Sequence, residues 1–224
     1  GDPVHMIPVL AICDPEITIG LPKSLTAACG VDALTHCIEA YTVQLHQPIT
    51  DALALKGISM IAENLEKAYE NGEDREARRN MMIASTIGGM AFISSNVGAV
   101  HAFAETVGAW FDTPHGVANS LFLPYIMEFN IPACPERFAD IADAMGIERE
   151  ESMSDEQYAL KAVEYVKALN RKLNIPTIKE IKGITEERFE AIAERSANNV
   201  LSNDNARKIT KEDYLELLKK AYNE

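Results

Sequence analysis

Two histidines stand at the two ends of an apolar segment in the middle of the chain. His101 is expected well inside a helix, with Glu105 one turn later on the same face. That helix should end at Asp112-Thr113-Pro114, because proline cannot continue it, so His115 stands at the entrance to the next helix. An imidazole in apolar surroundings needs a hydrogen-bond partner or a metal, since leaving it unpaired costs about 1–3 kcal/mol.

A carboxylate and a third histidine are the candidate partners. Asp32 and His36 are four residues apart, so on a helix their side chains project from one face. With His101 and His115 they offer one hard oxygen and three imidazole nitrogens. This set suits a divalent first-row metal such as iron, nickel or zinc, and it leaves coordination sites open for a substrate oxygen. Each histidine taken alone would more often be a core residue whose ring nitrogens are hydrogen-bonded within the protein. The occurrence of three such histidines and one aspartate, each in a matching local context, favours a metal site.

Several separated motifs, in order along the chain, resemble those of the iron-containing (group III) alcohol dehydrogenases. The resemblance implies that Asp32, His36, His101 and His115 bind the metal, with Fe2+ as the expected ion and Zn2+ or Ni2+ as alternatives. It also implies the helical metal-binding domain of the dehydroquinate synthase-like superfold. The segments that carry it are Asp32-Ala-Leu-Thr-His36-Cys-Ile-Glu-Ala-Tyr, His101 with Gly108, Asp112-Thr-Pro-His115-Gly-Val-Ala-Asn119, Leu121-Phe-Leu-Pro-Tyr-Ile-Met-Glu-Phe-Asn130 and Asn205-Ala-Arg207.

The chain departs from the family pattern in two places. Many members have a second histidine one turn after the third metal ligand, facing the cofactor, and this chain has Glu105 there. We interpret Glu105 as a catalytic-site residue that orients a metal-ligating histidine without binding the metal itself. The alternatives are a direct metal ligand, a contact to a substrate hydroxyl, or a carboxylate paired with a lysine or arginine of the dinucleotide-binding domain. Family members also begin with a glycine-rich dinucleotide-binding domain, which has no counterpart in this sequence.

Other polar and aromatic residues near these motifs have ordinary structural interpretations. Glu39 lies near the face of Asp32, where solvent exposure or a salt bridge is favoured over contact with a metal ligand. Asn119 is interpreted as a capping or turn contact, and His46 as a solvated loop residue. Trp110 and Phe103 are expected to form core or the wall of a pocket rather than a stacking platform.

Composition restricts the classes of partner. The formal charge of −13 argues against nucleic acid and against an anionic membrane face, both of which favour lysine and arginine clusters. With 47% apolar residues the chain can bury a substantial core. The four cysteines, Cys13, Cys29, Cys37 and Cys134, show no framework spacing, which favours buried free thiols in a reducing compartment. Without an apolar run of about 18 residues or a leader, the chain is predicted to be cytoplasmic.

The chain is predicted to be all-α with one short N-terminal strand. Residues 1–6 resemble a vector remnant, so His5 is left out of the site, and residues 7–224 are expected to form a single helical metal-binding domain. A strand is predicted over Ile7–Cys13, whose unpaired edge would favour aggregation or a homodimer. Helical periodicity begins near Pro22, with a break at Gly30, and the expected N-caps are Asp74, Ser154, Thr185 and Thr210.

The function that follows from the resemblance is the metal-binding catalytic half of an NAD(P)-dependent alcohol dehydrogenase. The whole enzyme would interconvert small primary alcohols or diols with aldehydes, and the absent dinucleotide-binding domain would hold most of the cofactor. The alternatives are a polyol dehydrogenase of the same superfold and a truncated, non-catalytic helical domain. The substrate is not readable from these residues, and no cofactor-binding residue is assigned.

Overall fold

A computed structural model of the chain describes residues 9–224. Within that range the chain is helical, with short 3-10 turns between longer helices. The α-helices are α1 (Lys23–Thr42), α2 (Pro48–Glu70), α3 (Arg75–Ser95), α4 (Ala99–Phe111), α5 (His115–Asn130), α6 (Pro135–Ala144), α7 (Asp155–Lys172), α8 (Phe189–Ala197) and α9 (Lys211–Asn223).

The predicted N-terminal strand is not supported. Residues 9–13 have no regular secondary structure, and Ile7 and Pro8 lie outside the described residues, as does the predicted vector remnant. The Val9 and Ile12 side chains are exposed. A strand is stable only when another strand satisfies its backbone groups, and residues 9–224 contain no strand that could do so. The fold class is therefore all-α over the described residues.

Helix α1 is the central element, and it runs without interruption through Gly30. The predicted break is wrong because this glycine serves packing: a Cβ added to Gly30 would lie 2.1 Å from a methyl carbon of Leu65 on α2. Gly57 of α2 approaches Cys37 in the same way, since a Cβ there would lie 2.5 Å from its Sγ. Small residues thus let α2 lie directly against α1, which makes α1 a rigid base for its side chains.

Helix α3 packs on the other side of α1 through a stripe of small residues. Ala84 and Ala91 are fully buried, and a Cβ on Gly88 would lie 3.1 Å from Cys37 Sγ. Helices α4 and α5 pack on each other, and α5 also packs on α1. Helices α7 and α9 pack on α5, α8 packs on α4, and α6 packs on α2 and α1. The metal-ligand candidates therefore meet where α1, α4 and α5 converge.

Three of the four predicted helix caps are confirmed. The side chain of Asp74 accepts from the Ala77 N–H, and Ser154 and Thr210 each form reciprocal capping boxes at the starts of α7 and α9. Thr185 instead precedes the short 3-10 helix Glu186–Arg188 and makes no side-chain cap bond.

No single helix of the described chain is long and apolar enough to cross a membrane; α3 and α4 together reach that length and composition but are bent by 105°.

Candidate metal centre

Helix α1 contributes Asp32 and His36, one turn apart on one face. Asp32 Oδ2 lies 3.7 Å from His36 Nδ1, and both side chains are about four-fifths buried, with exposures of 20% and 18%. The His36 ring is stacked on Phe92 of α3, with ring centroids 4.5 Å apart and planes inclined by 26°. Packing against an aromatic ring on a second helix restricts the rotation of His36, so the imidazole is held over the cluster.

His101 lies in the first turn of α4, not well inside a helix as the sequence predicted. The chain breaks after α3 because Asn96 has a positive φ of 72° with ψ of −173°, and Gly98 has φ of −130° with ψ of −138°, so neither residue has helical backbone angles. The His101 side chain is 5% exposed and therefore the most buried of the histidines in the cluster. Because α4 begins just before His101, the imidazole of His101 lies against α1, with its Nε2 3.1 Å from His36 Nε2.

His115 is the first residue of α5, which confirms the predicted position at the entrance to a helix. Asp112 ends α4 in a left-handed conformation, with φ of 52°, and Pro114 precedes the new helix. Gly116 allows α5 to touch α1, since a Cβ there would lie 2.4 Å from the carbonyl oxygen of Ala28. The absence of that side chain brings His115 within reach of Asp32.

The structure brings all four predicted ligands together in one cluster. One ligand atom from each of Asp32, His36, His101 and His115 lies within 4.8 Å of the other three. The Nε2 atoms of His36 and His101 are 3.1 Å apart, and His115 Nε2 is 3.5 Å from Asp32 Oδ1. The His115 side chain is 51% exposed while His101 is buried, so the cluster is closed on the protein side and open to solvent on the other.

Asn119 provides a test of whether the cluster fits a metal. It lies one turn after His115, fully buried, and its Nδ2 is 2.5 Å from Asp32 Oδ1, 3.2 Å from His101 Nε2 and 3.1 Å from His115 Nε2. Its Oδ1 is buried without a hydrogen-bond partner. An amide has two N–H groups and cannot satisfy three acceptors, so when both Nε2 atoms carry lone pairs the site holds more acceptors than the Asn119 amide can supply with donors. A divalent cation fits this surplus of lone pairs.

Protonation differs between the two buried histidines of the cluster. Burial lowers the pKa of His36, and the nearby charge of Asp32 only partly offsets this. Burial also opposes a charge on His101, but the hydrogen bond and negative charge of Glu39 outweigh it and raise the pKa of His101. His36 is thus held neutral, as a metal ligand must be, whereas His101 retains a proton to higher pH.

Glu39 is predicted to be solvent-exposed or to form a salt bridge. Solvent exposure is wrong, because Glu39 is 4% exposed, whereas its Oε2 does pair with a basic group, the Nδ1 of the ligand candidate His101, at 2.5 Å. Asn119, interpreted from the sequence as a capping or turn contact, instead contacts three ligand candidates. The available signals are the i, i+4 spacing from His115 to Asn119 and the spacing of seven from Asp32 to Glu39. Such spacings are also common in caps and in surface salt bridges, so the sequence alone does not distinguish these cases.

Glu105 stands outside the cluster, on the exposed side of α4. Its Oε2 accepts a 2.6 Å hydrogen bond from Asn199 Nδ2, and it lines an open cleft of about 470 Å³ together with Trp110 and Arg195. Trp110 is a half-exposed wall of this cleft, whereas Phe103 is fully buried and stacked on Phe122. The role of Glu105 as a catalytic-site residue remains a prediction.

His46 and the cysteines, which the sequence analysis also considers, are not members of the cluster. His46 is exposed, with Nδ1 3.4 Å from Asp51 Oδ2.

All four cysteines are free thiols, but only Cys37 is buried. Cys13 and Cys29 are exposed and Cys134 is intermediate, so the expectation of buried thiols holds for one of them. Burial raises the pKa of Cys37 to about 12, which keeps this thiol protonated.

The fold and the cluster define a class of protein: a helical domain with a three-histidine, one-carboxylate metal-type site between α1, α4 and α5. The sequence profile described as "Fe-containing alcohol dehydrogenase family, C-terminal" matches residues 26–222. The chain therefore belongs to the Fe-containing alcohol dehydrogenase family and corresponds to its C-terminal region.

Individual relatives agree with this assignment. The chain is 42% identical over 221 residues to alcohol dehydrogenase 4 of Saccharomyces cerevisiae and 40% identical over 216 residues to 1,3-propanediol dehydrogenase of Klebsiella pneumoniae; the matches cover 97% and 96% of this chain and 56% of each relative. A crystal structure of a 1,3-propanediol oxidoreductase superposes with a TM-score of 0.90 at 40% identity, over 93% of this chain and 54% of that one. The chain spans about half the length of the curated relatives it matches.

Proposed function

We propose that this chain is the metal-binding catalytic half of an NAD(P)-dependent, metal-containing alcohol dehydrogenase that interconverts small primary alcohols or diols with aldehydes. The observation that carries the proposal is the convergence of Asp32, His36, His101 and His115 within 4.8 Å in a chain of this family. Relatives named as alcohol, 1,3-propanediol and butanol dehydrogenases support the substrate class. The substrate of this chain is within that class.

The proposed metal is Fe2+, with Zn2+ and Ni2+ as ions that the same donors accept. Three neutral imidazoles and one carboxylate would hold it, and Asp32 would supply the one negative charge. When bound, the metal supplies Lewis-acid polarisation of the alcohol oxygen, and a nicotinamide supplies the hydride-accepting chemistry. The remaining coordination sites would face the open side of the cluster.

The side chains of this chain would bind and orient the alcohol. The half-exposed His115 marks the side from which a small molecule can approach, while buried His101 and the stacked ring of His36 close the opposite side. Asn119 donates to Asp32 from a fully buried position and so fixes the carboxylate. Glu105, in the neighbouring cleft, is proposed to tune the site from outside the ligand set.

The cofactor would be held mainly by a dinucleotide-binding domain, which is the proposed partner of this chain. Gly88 and Gly89 lie inside helix α3, where Gly88 serves packing against Cys37, so this glycine pair does not form a phosphate-binding turn. The family profile assigns the chain to the C-terminal region, and its relatives are nearly twice as long. Residues 7–224 are accordingly proposed to act as one metal-binding domain of a two-domain enzyme.

The proposal can be tested by joining this chain to the matching remainder of the yeast relative. The chimera should oxidise ethanol or 1,3-propanediol with NAD(P) after anaerobic loading with Fe2+, and should lose that activity in the His115→Ala variant. Elemental analysis should find one metal per chain in the active protein. A chimera that is folded, loaded with metal and reduces no NAD(P) with any small alcohol would count against the proposal, as would full activity in the His115→Ala variant.

A further inference from the structure

A buried carboxylate outside the ligand set faces the first turn of α4. Glu39 lies on α1 and is 4% exposed. Its two carboxylate oxygens contact two consecutive residues of α4. Oε1 accepts a 2.8 Å hydrogen bond from the Val100 N–H, and Oε2 lies 2.5 Å from His101 Nδ1. A carboxylate buried to this extent is tolerated only when it is fully paired, so the two contacts are needed to hold it there.

The contact with Nδ1 determines what the other ring nitrogen of His101 can do. A carboxylate accepts hydrogen bonds, so it selects the imidazole tautomer with the proton on Nδ1. Nε2 then carries a lone pair, and Nε2 is the atom that faces the cluster, 3.1 Å from His36 Nε2 and 3.2 Å from Asn119 Nδ2. A metal ligand held in this way, by a carboxylate on its second nitrogen, has its orientation and basicity set by that partner.

The glycine just before α4 leaves space for the Glu39 carboxylate. A Cβ on Gly98 would lie 3.1 Å from Glu39 Oε1 and 3.0 Å from Asn205 Oδ1, so a side chain at this position would crowd both. Gly98 itself supplies no capping side chain to α4. The first two N–H groups of the helix are instead satisfied from elsewhere in the fold, by Asn205 at Ala99 and by Glu39 at Val100.

We propose that Glu39 is a positioning residue that fixes the tautomer and direction of the His101 imidazole, so that Nε2 is presented to the metal. The proposal rests on the proposed function, since it concerns a ligand of the proposed metal centre. Glu39 acts through His101 and does not touch the metal or the substrate. Its second oxygen anchors the same helical turn, which couples the position of the backbone to the direction of the ring.

The tautomer is measurable in the metal-free wild-type chain. Two-dimensional NMR of 15N-histidine-labelled protein, recorded where the imidazoles are neutral, distinguishes the Nδ1–H from the Nε2–H form, and the resonances missing from the His101→Ala spectrum identify His101. We expect His101 to be the Nδ1–H tautomer. An Nε2–H tautomer would overturn the proposal, and this measurement requires neither metal binding nor a Glu39 variant.

The consequence for binding is measured with Co2+, by its visible absorption in competition with a chelator. Glu39→Gln keeps the size of the side chain and an oxygen for the Val100 N–H, but it can no longer offer an acceptor to Nδ1 as well. We expect the affinity for Co2+ to fall about 10–100-fold and the Co2+ absorption bands to shift. Affinity within about threefold of wild type, with unchanged bands, would contradict the role of Glu39.

Asn205→Ala is the matched control for helix anchoring. It removes the neighbouring cap at Ala99, together with the hydrogen bonds of the Asn205 side chain to Asn130 and to the Arg207 carbonyl, and leaves the contact between Glu39 and His101 in place. We expect a lower melting temperature with Co2+ affinity close to wild type; a loss equal to that of Glu39→Gln would show that helix anchoring alone accounts for the effect. Failure of the wild-type chain to bind Co2+ would instead refute the proposed metal centre, which separates the two failures.

Discussion

His115 Nε2 and Asp32 Oδ1 lie 3.5 Å apart although the two residues belong to different helices. The approach depends on the residue after His115. Gly116 presses on the backbone of α1, and a Cβ at that position would meet both the carbonyl carbon and oxygen of Ala28, at 2.7 and 2.4 Å. The cluster is therefore set by backbone contact between α1 and α5, in addition to the ligand side chains.

The close contact between these helices predicts the effect of Gly116→Ala. The atoms in the way belong to the backbone of Ala28 and cannot move aside as a side chain could, so α5 must shift and carry His115 away from Asp32. We expect a loss of about 1–3 kcal/mol in the free energy of unfolding, as for other overpacked sites, together with weaker metal binding. Chemical denaturation and chelator competition measure the two effects.

Gly89→Ala is the control for that substitution. Gly89 lies inside helix α3, and a Cβ there would meet nothing within 4 Å. Alanine should therefore stabilise the chain by about 0.5–1 kcal/mol through its greater helix propensity, without changing metal affinity. Equal behaviour of the two alanine variants would be inconsistent with the backbone contact at Gly116.

His101→Ala should remove a strong metal ligand and leave Glu39 buried beside an empty space. We expect the wild-type chain to bind about one divalent metal ion. The variant should lose metal affinity by more than about 100-fold, which is more than the loss from changing a residue that only hydrogen-bonds to a metal ligand. The measurement is metal stoichiometry after dialysis against a weak chelator. His46→Ala, which changes an exposed histidine outside the cluster, should behave as wild type. Unaltered stoichiometry and affinity in His101→Ala would remove this residue from the ligand set.

Metal affinity should decrease as the pH falls. A metal binds the neutral imidazole, so protons compete with it. Burial lowers the pKa of His36, whereas the contact with Glu39 raises that of His101 above its ordinary value of about 6.5, so protonation of His101 is the first of the two to compete as the pH is lowered. Affinity should be constant at high pH and begin to decline above pH 6.5. Chelator competition across this range, corrected for protonation of the chelator, provides the check; pH-independent affinity would be incompatible with imidazole ligands.

The sequence was sufficient to predict elements and ligands whose signals are local. The caps at Ser154 and Thr210 follow from side chains three positions apart that form capping boxes, and the cap at Asp74 follows from an acceptor side chain placed just before a helix. The pairing of Asp32 with His36 likewise follows from helical spacing. These features depend on neighbours within one or two turns, which a sequence displays directly.

The features that could not be predicted depend on residues far apart in the chain. Gly30 resembles a helix break until Leu65 is known to lie against it, and Glu39 resembles a surface residue until α4 is placed beside it. The helix break that places His101 in a first turn occurs at Asn96 and Gly98. Neither residue type ends a helix as reliably as proline does, so the sequence does not predict this break. Tertiary contacts decided each of these cases.

Glu105→Gln should leave metal occupancy nearly unchanged. The Glu105 carboxylate is exposed, hydrogen-bonded to Asn199 and outside the four-residue cluster, and three imidazoles with one carboxylate already form a competent divalent site. Asp32→Asn, which replaces the carboxylate of the cluster by an amide, should lose most of the metal. Elemental analysis of both variants makes the comparison, and loss of metal from Glu105→Gln would promote Glu105 to a direct ligand.

The last prediction concerns the activity of the 224-residue chain by itself. Hydride transfer requires the acceptor carbon to be held against the alcohol carbon, and positioning of this kind can contribute about 7–11 kcal/mol to catalysis. Gly88 and Gly89 lie in the interior of α3 and the cleft beside Glu105 is open to solvent, so neither offers the helix-terminal cradle that holds a pyrophosphate. We expect metal binding without appreciable alcohol oxidation.

Fluorescence titration of NAD(P)H and steady-state assays of the metal-loaded chain test this expectation. Binding of NAD(P)H should be very weak, and turnover should appear only when a dinucleotide-binding domain is joined to the chain. His115→Ala, prepared in parallel, excludes contaminating host dehydrogenases because their activity would persist in it. If the wild-type chain alone turned over at a rate typical of enzymes and His115→Ala did not, the cofactor site would have to lie within these 224 residues.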